Sequence, residues 1–439
     1  MLIKALMLCG DFSTAGLYMN QSYSSYEFDD SFAELREDLW QQVAKLLGKD
    51  WDDLDEDERS ANNWPSSGLV RREVYPWNEF EPDRFAVIDA INVMMDKVAP
   101  KLQVRAVKLP ALANQAASES SEQLGVVAKE DIAPGETVLV EGSLLTVNNR
   151  LQDTLCDACS SDLPSLKDSG RDAIVSCSDC EVIYCCQECY DAAMEHYHPA
   201  VCERDVEAIM RDPDPKAAAE SLYCLLLLRC FALAETRQCQ PLDLEEIKYI
   251  WGDFNQDTGK TWPLQPKPED PKTAFAGMPR TLPFSFEYNV RLPFHMLEKM
   301  DIDIFANLHY DVWTFNTLYA KFRGTASARL SGAGGSIARG PDVCAVHPMW
   351  CMANHSCDPN VSWEWGGNIK LAAREKRAEW VGRDGKHTPN EPGVRKGEEV
   401  LNHYCDLDLP VKERREWASG ALGGDCQCER CVWEAAQQA

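Results

Sequence analysis

The sequence predicts an α+β protein of short strands and helices in which bound zinc replaces part of a hydrophobic core. Three observations carry this. Short apolar stretches bounded by Pro and Gly turns read as strands, alternating at 103–108 and continuous at 125–128 and 137–140, and short strands and turns alternate from Val343 onward. Other stretches show helical apolar spacing, at 32–47, at 85–98 and in segments between 204 and 325. The nineteen cysteines fall into two dense groups with metal-ligand spacing and a sparse remainder.

Composition sets the outer limits. The chain has 439 residues, 45% hydrophobic and 26% charged, which excludes wholesale disorder and fibrous repeats. No apolar run reaches the roughly 18 residues needed to cross a bilayer. The longest candidate, 222–233, is interrupted by Arg229 and reads as a buried core helix. The N-terminus is apolar for only about ten residues, shorter than a secretory signal. An intracellular protein of nucleus or cytoplasm, with no membrane partner, is expected. The formal charge is −27. DNA binders rely on Lys and Arg contacts to phosphate, and without a basic run this chain would be repelled. Its acidic surface suits a cationic protein partner instead.

In chain order, residues 1–100 form an acidic, mainly helical region carrying 20 acidic against 9 basic residues. Phe32, Leu35, Leu39, Val43, Leu46 and Leu47 mark one helical face there. Residues 50–58 are a charge run expected to be a solvated loop, and the prolines between 63 and 77 exclude a long helix. A strand at 103–108 is closed by Pro110, and 111–123 reads as a polar linker. Two short strands follow around the turn at Pro134–Gly135. A zinc-binding segment spans 153–203 and a helical insert 204–325, the latter broken by a Pro-rich loop at 262–283. A Gly/Ser-rich loop at 331–340 precedes alternating strands and turns over 343–415, and 416–432 holds the last cysteines.

The first cysteine group reads Cys156-x2-Cys159, Cys177-x2-Cys180, Cys185-x3-Cys189 and His198-x3-Cys202. That supplies two sets of four ligands, the number a tetrahedral zinc ion takes. So short and polar a segment cannot bury a core, so metal binding would supply its folding free energy. Cys186 and His196 are spare by this count. The second group, Cys426-x-Cys428-x2-Cys431, is one ligand short. Cys9, Cys186, Cys224, Cys230, Cys239, Cys344, Cys351 and Cys405 are expected to be ordinary buried thiols.

Several separated pieces together resemble one family. LGVVAKEDIAPGETVLVE at 124–141 resembles the opening strands of a SET domain, and NHSCDPN at 354–360 its most specific signature. GEEVLNHYCDLDLPVKERR at 397–415 is similar to the closing strands, with Tyr404 ending the apolar one, and CQCERC at 426–431 to the segment after the domain. The ligand set at 153–203 resembles a MYND zinc finger. A SET domain split by such a finger, covering 102–432 in all, is the layout of the SET-and-MYND protein lysine methyltransferases.

The resemblance implies a SET-type β-fold with an inserted MYND segment, a helical insert, a catalytic core at 343–415 and a post-SET zinc site. It implies S-adenosylmethionine as methyl donor, contacted by Leu124, Gly125, Val126, Asn316, Asn354, His355 and Tyr404, with Tyr404 as the active-site tyrosine. Gly125 would admit the donor closely because it lacks a Cβ. Cys357 would complete the terminal site with Cys426, Cys428 and Cys431, giving three structural zinc ions in all. The expected substrate is lysine in a basic protein such as a histone, and the finger would take proline-containing peptides. Two positions depart from the family pattern: Gln123 stands where the donor loop has a glycine, and Gly424 where an aromatic residue usually precedes the terminal cysteines. A second reading follows from those departures, a catalytically weak or inactive zinc scaffold that binds partners through the finger.

Overall fold

The computed structural model describes residues 1–26, 29–71, 84–109, 121–150, 154–164, 172–206, 210–250, 281–331, 340–378, 380, 391–422 and 425–438. Gly424 and most of the two loops expected at 262–283 and 331–340 lie outside them. The chain divides into two compact units: Met1–Pro76, Phe254–Ala306 and Tyr310–Asn316 form one, and Trp77–Asp253, Asn307–His309 and Thr317–Ala439 the other. The division falls inside residues 1–100.

The first unit opens with three helices, α1 (Leu2–Cys9), α2 (Phe12–Tyr26) and α3 (Asp30–Leu47). Asp29 caps α3 by accepting the Phe32 N–H at 3.1 Å, and Gly48, with φ 70°, ends it. Leu6, Ala15, Met19, Leu39, Val43 and Trp64 share one core. Only part of the predicted α3 face is inward, since Leu46 and Leu47 are 54% and 41% exposed at its last turn. β1 (Gly68–Arg71) pairs antiparallel with β8 (Thr281–Phe284), so residues 281–283 form a strand, not a loop. α8 (Leu292–Lys299) belongs here too.

In the second unit, α4 (Ile88–Val98) lies against the hairpin of β2 (Leu102–Leu109) and β3 (Ser121–Ala128). The Asn92 side chain ties them, accepting the Val104 N–H at 2.6 Å and donating to its carbonyl at 3.1 Å. β3 starts inside the expected linker, so Gln123 sits in a strand opposite Val107. β4 (Thr137–Gly142), β11 (Val361–Gly366) and β12 (Asn368–Ala373) form a sheet in the order β11-β12-β4. β5 (Leu145–Asn148), β10 (Val343–Val346) and β9 (Ala326–Arg329) form another, in the order β5-β10-β9. All these pairings are antiparallel. Ile91, Leu102, Val126, Leu139, Val361 and Leu371 draw α4, the hairpin and the β11-β12-β4 sheet into one core. Between the strands lie a small ribbon of β6 (Val175–Ser176) and β7 (Ile183–Tyr184), then α5 (Gln187–His196), α6 (Ala218–Thr236), α7 (Glu245–Lys248) and the part of α9 (Val312–Thr325) from Thr317 onward, its start through Asn316 being assigned to the first unit.

α6 is buried on all sides, with fourteen of its nineteen residues inside. With its leading turn, Pro215–Thr236 is long and apolar enough to cross a membrane, contrary to the count of apolar runs, but most of it is packed inside the protein. Arg229, which interrupted the apolar run, is an anchor. Its guanidinium lies 3.6 Å from the Tyr197 ring centroid and 3.2 Å from buried Asp157. Burial would raise the Asp157 pKa, yet Arg229 and Arg211 together hold it below the ordinary carboxylate value.

The expected closing strands are not formed as a ladder. Residues 399–402 make only isolated bridges, Val127 to Glu399 and His355 to Asn402. Backbone bonds still tie this stretch to its neighbours, and the Asn360 side chain adds to them, donating to the Glu399 carbonyl at 2.7 Å and accepting the Leu401 N–H at 2.8 Å. Residues 412–415 belong to α10 (Val411–Leu422), which precedes α11 (Glu429–Gln438).

Candidate active site and metal centres

Twelve side chains gather into three four-membered groups, the ligand atoms of each within 4.8 Å of one another. The two groups of the 154–203 segment interleave: Cys156 and Cys159 meet Cys185 and Cys189, whereas Cys177 and Cys180 meet His198 and Cys202. Each Cys-x2-Cys pair is held by the same turn. The Ser160 N–H bonds the Cys156 carbonyl at 2.8 Å and the Glu181 N–H the Cys177 carbonyl at 3.1 Å. The turning residues are left-handed, with φ 53° and 63°. Zinc bound at about 2.3 Å by four sulfurs sets them about 3.8 Å apart. Cys159–Cys185, Cys185–Cys189 and Cys177–Cys202 stand at 3.7, 3.5 and 3.8 Å, so the groups fit a metal ion of that kind. Tyr184 Oη lies 3.0 Å from His198 Nδ1, which leaves Nε2, 3.4 Å from Cys180 Sγ, turned to the same centre.

The third group joins Cys357 to Cys426, Cys428 and Cys431 across some seventy residues. His355, Cys357 and Cys405 make a further close cluster. Its histidine is not available to a metal, because His355 Nδ1 accepts the Tyr404 N–H at 3.0 Å. Burial holds this ring near pKa 4 and therefore neutral, so the hydrogen-bond network assigns its proton to Nε2, which donates to Cys357 Sγ at 3.4 Å. Cys405 is accordingly not an ordinary core thiol but a neighbour of the terminal group. Cys9, Cys186, Cys239 and Cys351 also differ from expectation in being only half-buried.

Around that group two segments run side by side. The Asn402 N–H bonds the Asn354 carbonyl and the Ser356 N–H bonds the Asn402 carbonyl, both at 2.8 Å. β3 flanks the pair, with the Val400 N–H on the Val126 carbonyl at 2.7 Å. Asn354 Nδ2 donates to the Leu124 carbonyl at 3.1 Å and to Glu399 Oε1 at 2.8 Å. Leu124, Gly125, Val126, Asn354, His355 and Tyr404 are thereby collected in one place. Asn316 belongs to the first unit, where its side chain accepts from Asn289 Nδ2 at 2.6 Å.

Gly125 has a steric reason in addition to the expected one. A Cβ there would stand 2.6 Å from Glu399 Oε1, 2.7 Å from Val107 Cγ2 and 2.9 Å from Asn354 Nδ2. The missing side chain makes room for the protein's own crossing. A bulky residue at 125 would therefore disturb folding, not merely a ligand. Gln123 lies in extended β3, where any residue fits, so its backbone makes no demand for glycine.

Tyr404 Oη donates to the Ala353 carbonyl at 2.9 Å. Burial, with smaller contributions from Cys351 and Glu399, pushes its pKa well above the ordinary phenol value. His403, next to it in sequence, stacks on Trp363 at 5.9 Å between ring centroids, and Trp363 meets Trp350 at 5.6 Å. Comparison with known protein families matches residues 123–381 to the SET domain, more than half of the chain.

The chain belongs to the SET domain family.

No curated protein matches it. SET domains form a family of protein lysine methyltransferases in general, and membership implies use of S-adenosylmethionine. The Glu399 carboxylate faces β3 at Gly125 without a cationic side-chain partner among the described residues.

Sequence reasoning missed two acids, Glu141 inside the matched segment and Glu399 after it. Glu399 was read only as part of a strand. Glu141, buried on β4, accepts the Met349 and Trp350 N–H groups at 2.9 and 2.8 Å and so fixes the turn that leads to Asn354. Burial raises its pKa from 4.5 to about 7, against the pull of those two bonds. A carboxyl raised on folding contributes stability that is full below its unfolded pKa and lost as pH rises through the folded one. The shift corresponds to about 3 kcal/mol. Glu141→Gln should lower the baseline, because its amide faces a backbone donor. It should also flatten the dependence of unfolding free energy on pH between about 4.5 and about 8, as read from denaturant titrations. An unchanged slope would remove Glu141 as its source.

Proposed function

We propose that this SET-domain protein is an S-adenosylmethionine-dependent protein lysine N-methyltransferase whose domain is split by a MYND-type zinc finger. The observation that carries the reading is the hydrogen-bonded crossing that joins Gly125 and Asn354, inside the matched family segment, to Tyr404, which follows it in sequence. Leu124, Gly125, Val126, Asn354 and His355 would hold the donor from one side, and Tyr404 would face the reaction. S-adenosylmethionine, when bound, supplies the methyl group of its sulfonium.

This chain's residues would do the rest by positioning. A free lysine has a pKa near 10.4, and only its neutral amine is nucleophilic. Apolar walls such as Trp350 and Trp363 would favour that form by desolvating the charge. Tyr404 stays protonated and spends its hydrogen on Ala353, which leaves its oxygen lone pairs free to accept from the amine and to meet the polarised methyl group. The three Cys/His groups would each close around one zinc ion with no open position, so the metals would be structural. The acidic balance of the chain favours a basic substrate, with histone tails the natural class.

The test uses full-length protein with its zinc. S-adenosylmethionine is titrated by calorimetry, and labelled methyl transfer to histone-tail peptides is followed with identification of the modified side chain. Donor binding with methyl-lysine product is expected. Folded, metal-loaded protein that binds no donor would replace the enzyme by a scaffold that presents its finger to partners.

A further inference from the structure

We propose that the Glu399 carboxylate is the charge-selective element of the donor site, anchoring Asn354 and favouring a cationic sulfonium over a neutral thioether. The inference rests on the methyltransferase reading above. Glu399 returns beside β3 through its bridge to Val127. Its Oε1 accepts from Asn354 Nδ2 at 2.8 Å, and the same amide reaches the Leu124 carbonyl at 3.1 Å. A Cβ on Gly125 would lie 2.6 Å from that oxygen, so the carboxylate stands directly against the strand assigned to the donor. It also acts electrostatically on Tyr404, at the reacting end of the same site.

The charge has no local counter-ion. Its neighbour Glu398 reaches Arg377 at 3.9 Å, whereas no Lys, Arg or His pairs with Glu399 among the described residues. Burial raises the pKa of Glu399, with Asn354 opposing the rise. A half-buried, uncompensated carboxylate is costly, and a ligand cation would offset that cost. S-adenosylmethionine carries the sulfonium charge, and the S-adenosylhomocysteine left after transfer does not. The same carboxylate would therefore retain the donor and release the spent product.

Dissociation constants of both compounds are measured by calorimetry for the wild type, Glu399→Gln and Glu399→Asp. The glutamine variant keeps an acceptor for Asn354 and loses only the charge. It should raise the ratio of the S-adenosylmethionine constant to the S-adenosylhomocysteine constant about tenfold. The aspartate variant keeps the charge and should leave the ratio near the wild-type value even if both constants weaken. Equal weakening of both compounds in Glu399→Gln, or no change, would overturn the inference and leave the methyltransferase reading intact. Wild-type protein that binds neither compound would overturn both.

Discussion

Removing zinc from the purified protein should release about three equivalents, as three groups of four ligands require, and should unfold residues 154–203. That segment contributes two-residue strands, one ten-residue helix and few buried apolar side chains. Structural zinc supplies apparent binding energies of about 10–16 kcal/mol in small finger peptides at neutral pH, far more than such packing offers. The first unit, whose Leu6, Met19, Leu39 and Val43 core uses no ligand, should keep its helices. Hydrogen exchange with mass spectrometry reads both outcomes in one experiment. Cys431→Ser should cost about one equivalent only. Because Cys431 Sγ stands 3.3 Å from Cys357 Sγ in the terminal group, its loss should raise exchange at 354–360 and in α11 but not at 154–203. Continued protection of 154–203 after chelation would show that the metal does not hold that segment together.

These expectations could be framed early because some signals are local and others are not. Cys-x2-Cys pairs announce themselves, since one turn with a left-handed residue after the second cysteine positions both thiols. How the four pairs combine is a property of the fold, and spacing left the interleaving of Cys156/Cys159 with Cys185/Cys189 open. The helix at 30–47 was legible from its apolar period, as was the burial of 222–233, but the purpose of Arg229 was not. Its partner Asp157 is 72 residues away in sequence, and no window sees both.

The strand expected to end at Tyr404 shows the opposite error. Val400 and Leu401 look like strand residues, yet only Val400 bonds β3 through its N–H, the Leu401 N–H goes to the Asn360 side chain 41 residues away, and no ladder forms. Glu399 and Glu141 escaped notice for a related reason. A carboxylate in an acidic chain looks like a solvated surface group until the structure places it on Asn354 or on two buried N–H groups. Gly125 was legible as a special position, but its cause was not, because Val107, Asn354 and Glu399 converge on it from three separate segments.

Tyr404→Phe should leave S-adenosylmethionine affinity within about twofold and lower turnover on the order of 100-fold, the scale of removing one preorganised polar group from a site. The reason lies in where its hydroxyl is spent. The hydrogen is given to Ala353 at 2.9 Å, which fixes the hydroxyl and leaves its oxygen lone pairs as acceptors. Phenylalanine keeps the ring against His355, at 5.1 Å between centroids, and so keeps the crossing packed while removing the acceptor. The pH profile separates positioning from base catalysis. Burial raises the Tyr404 pKa well above 10, so the phenol stays protonated throughout the neutral range and cannot collect the lysine proton as a phenolate there. The rise of rate with pH should then belong to the substrate amine and persist with the same shape in the phenylalanine variant. Loss of that rise in Tyr404→Phe would make the tyrosine the proton acceptor and require its phenol to ionise in the bound complex.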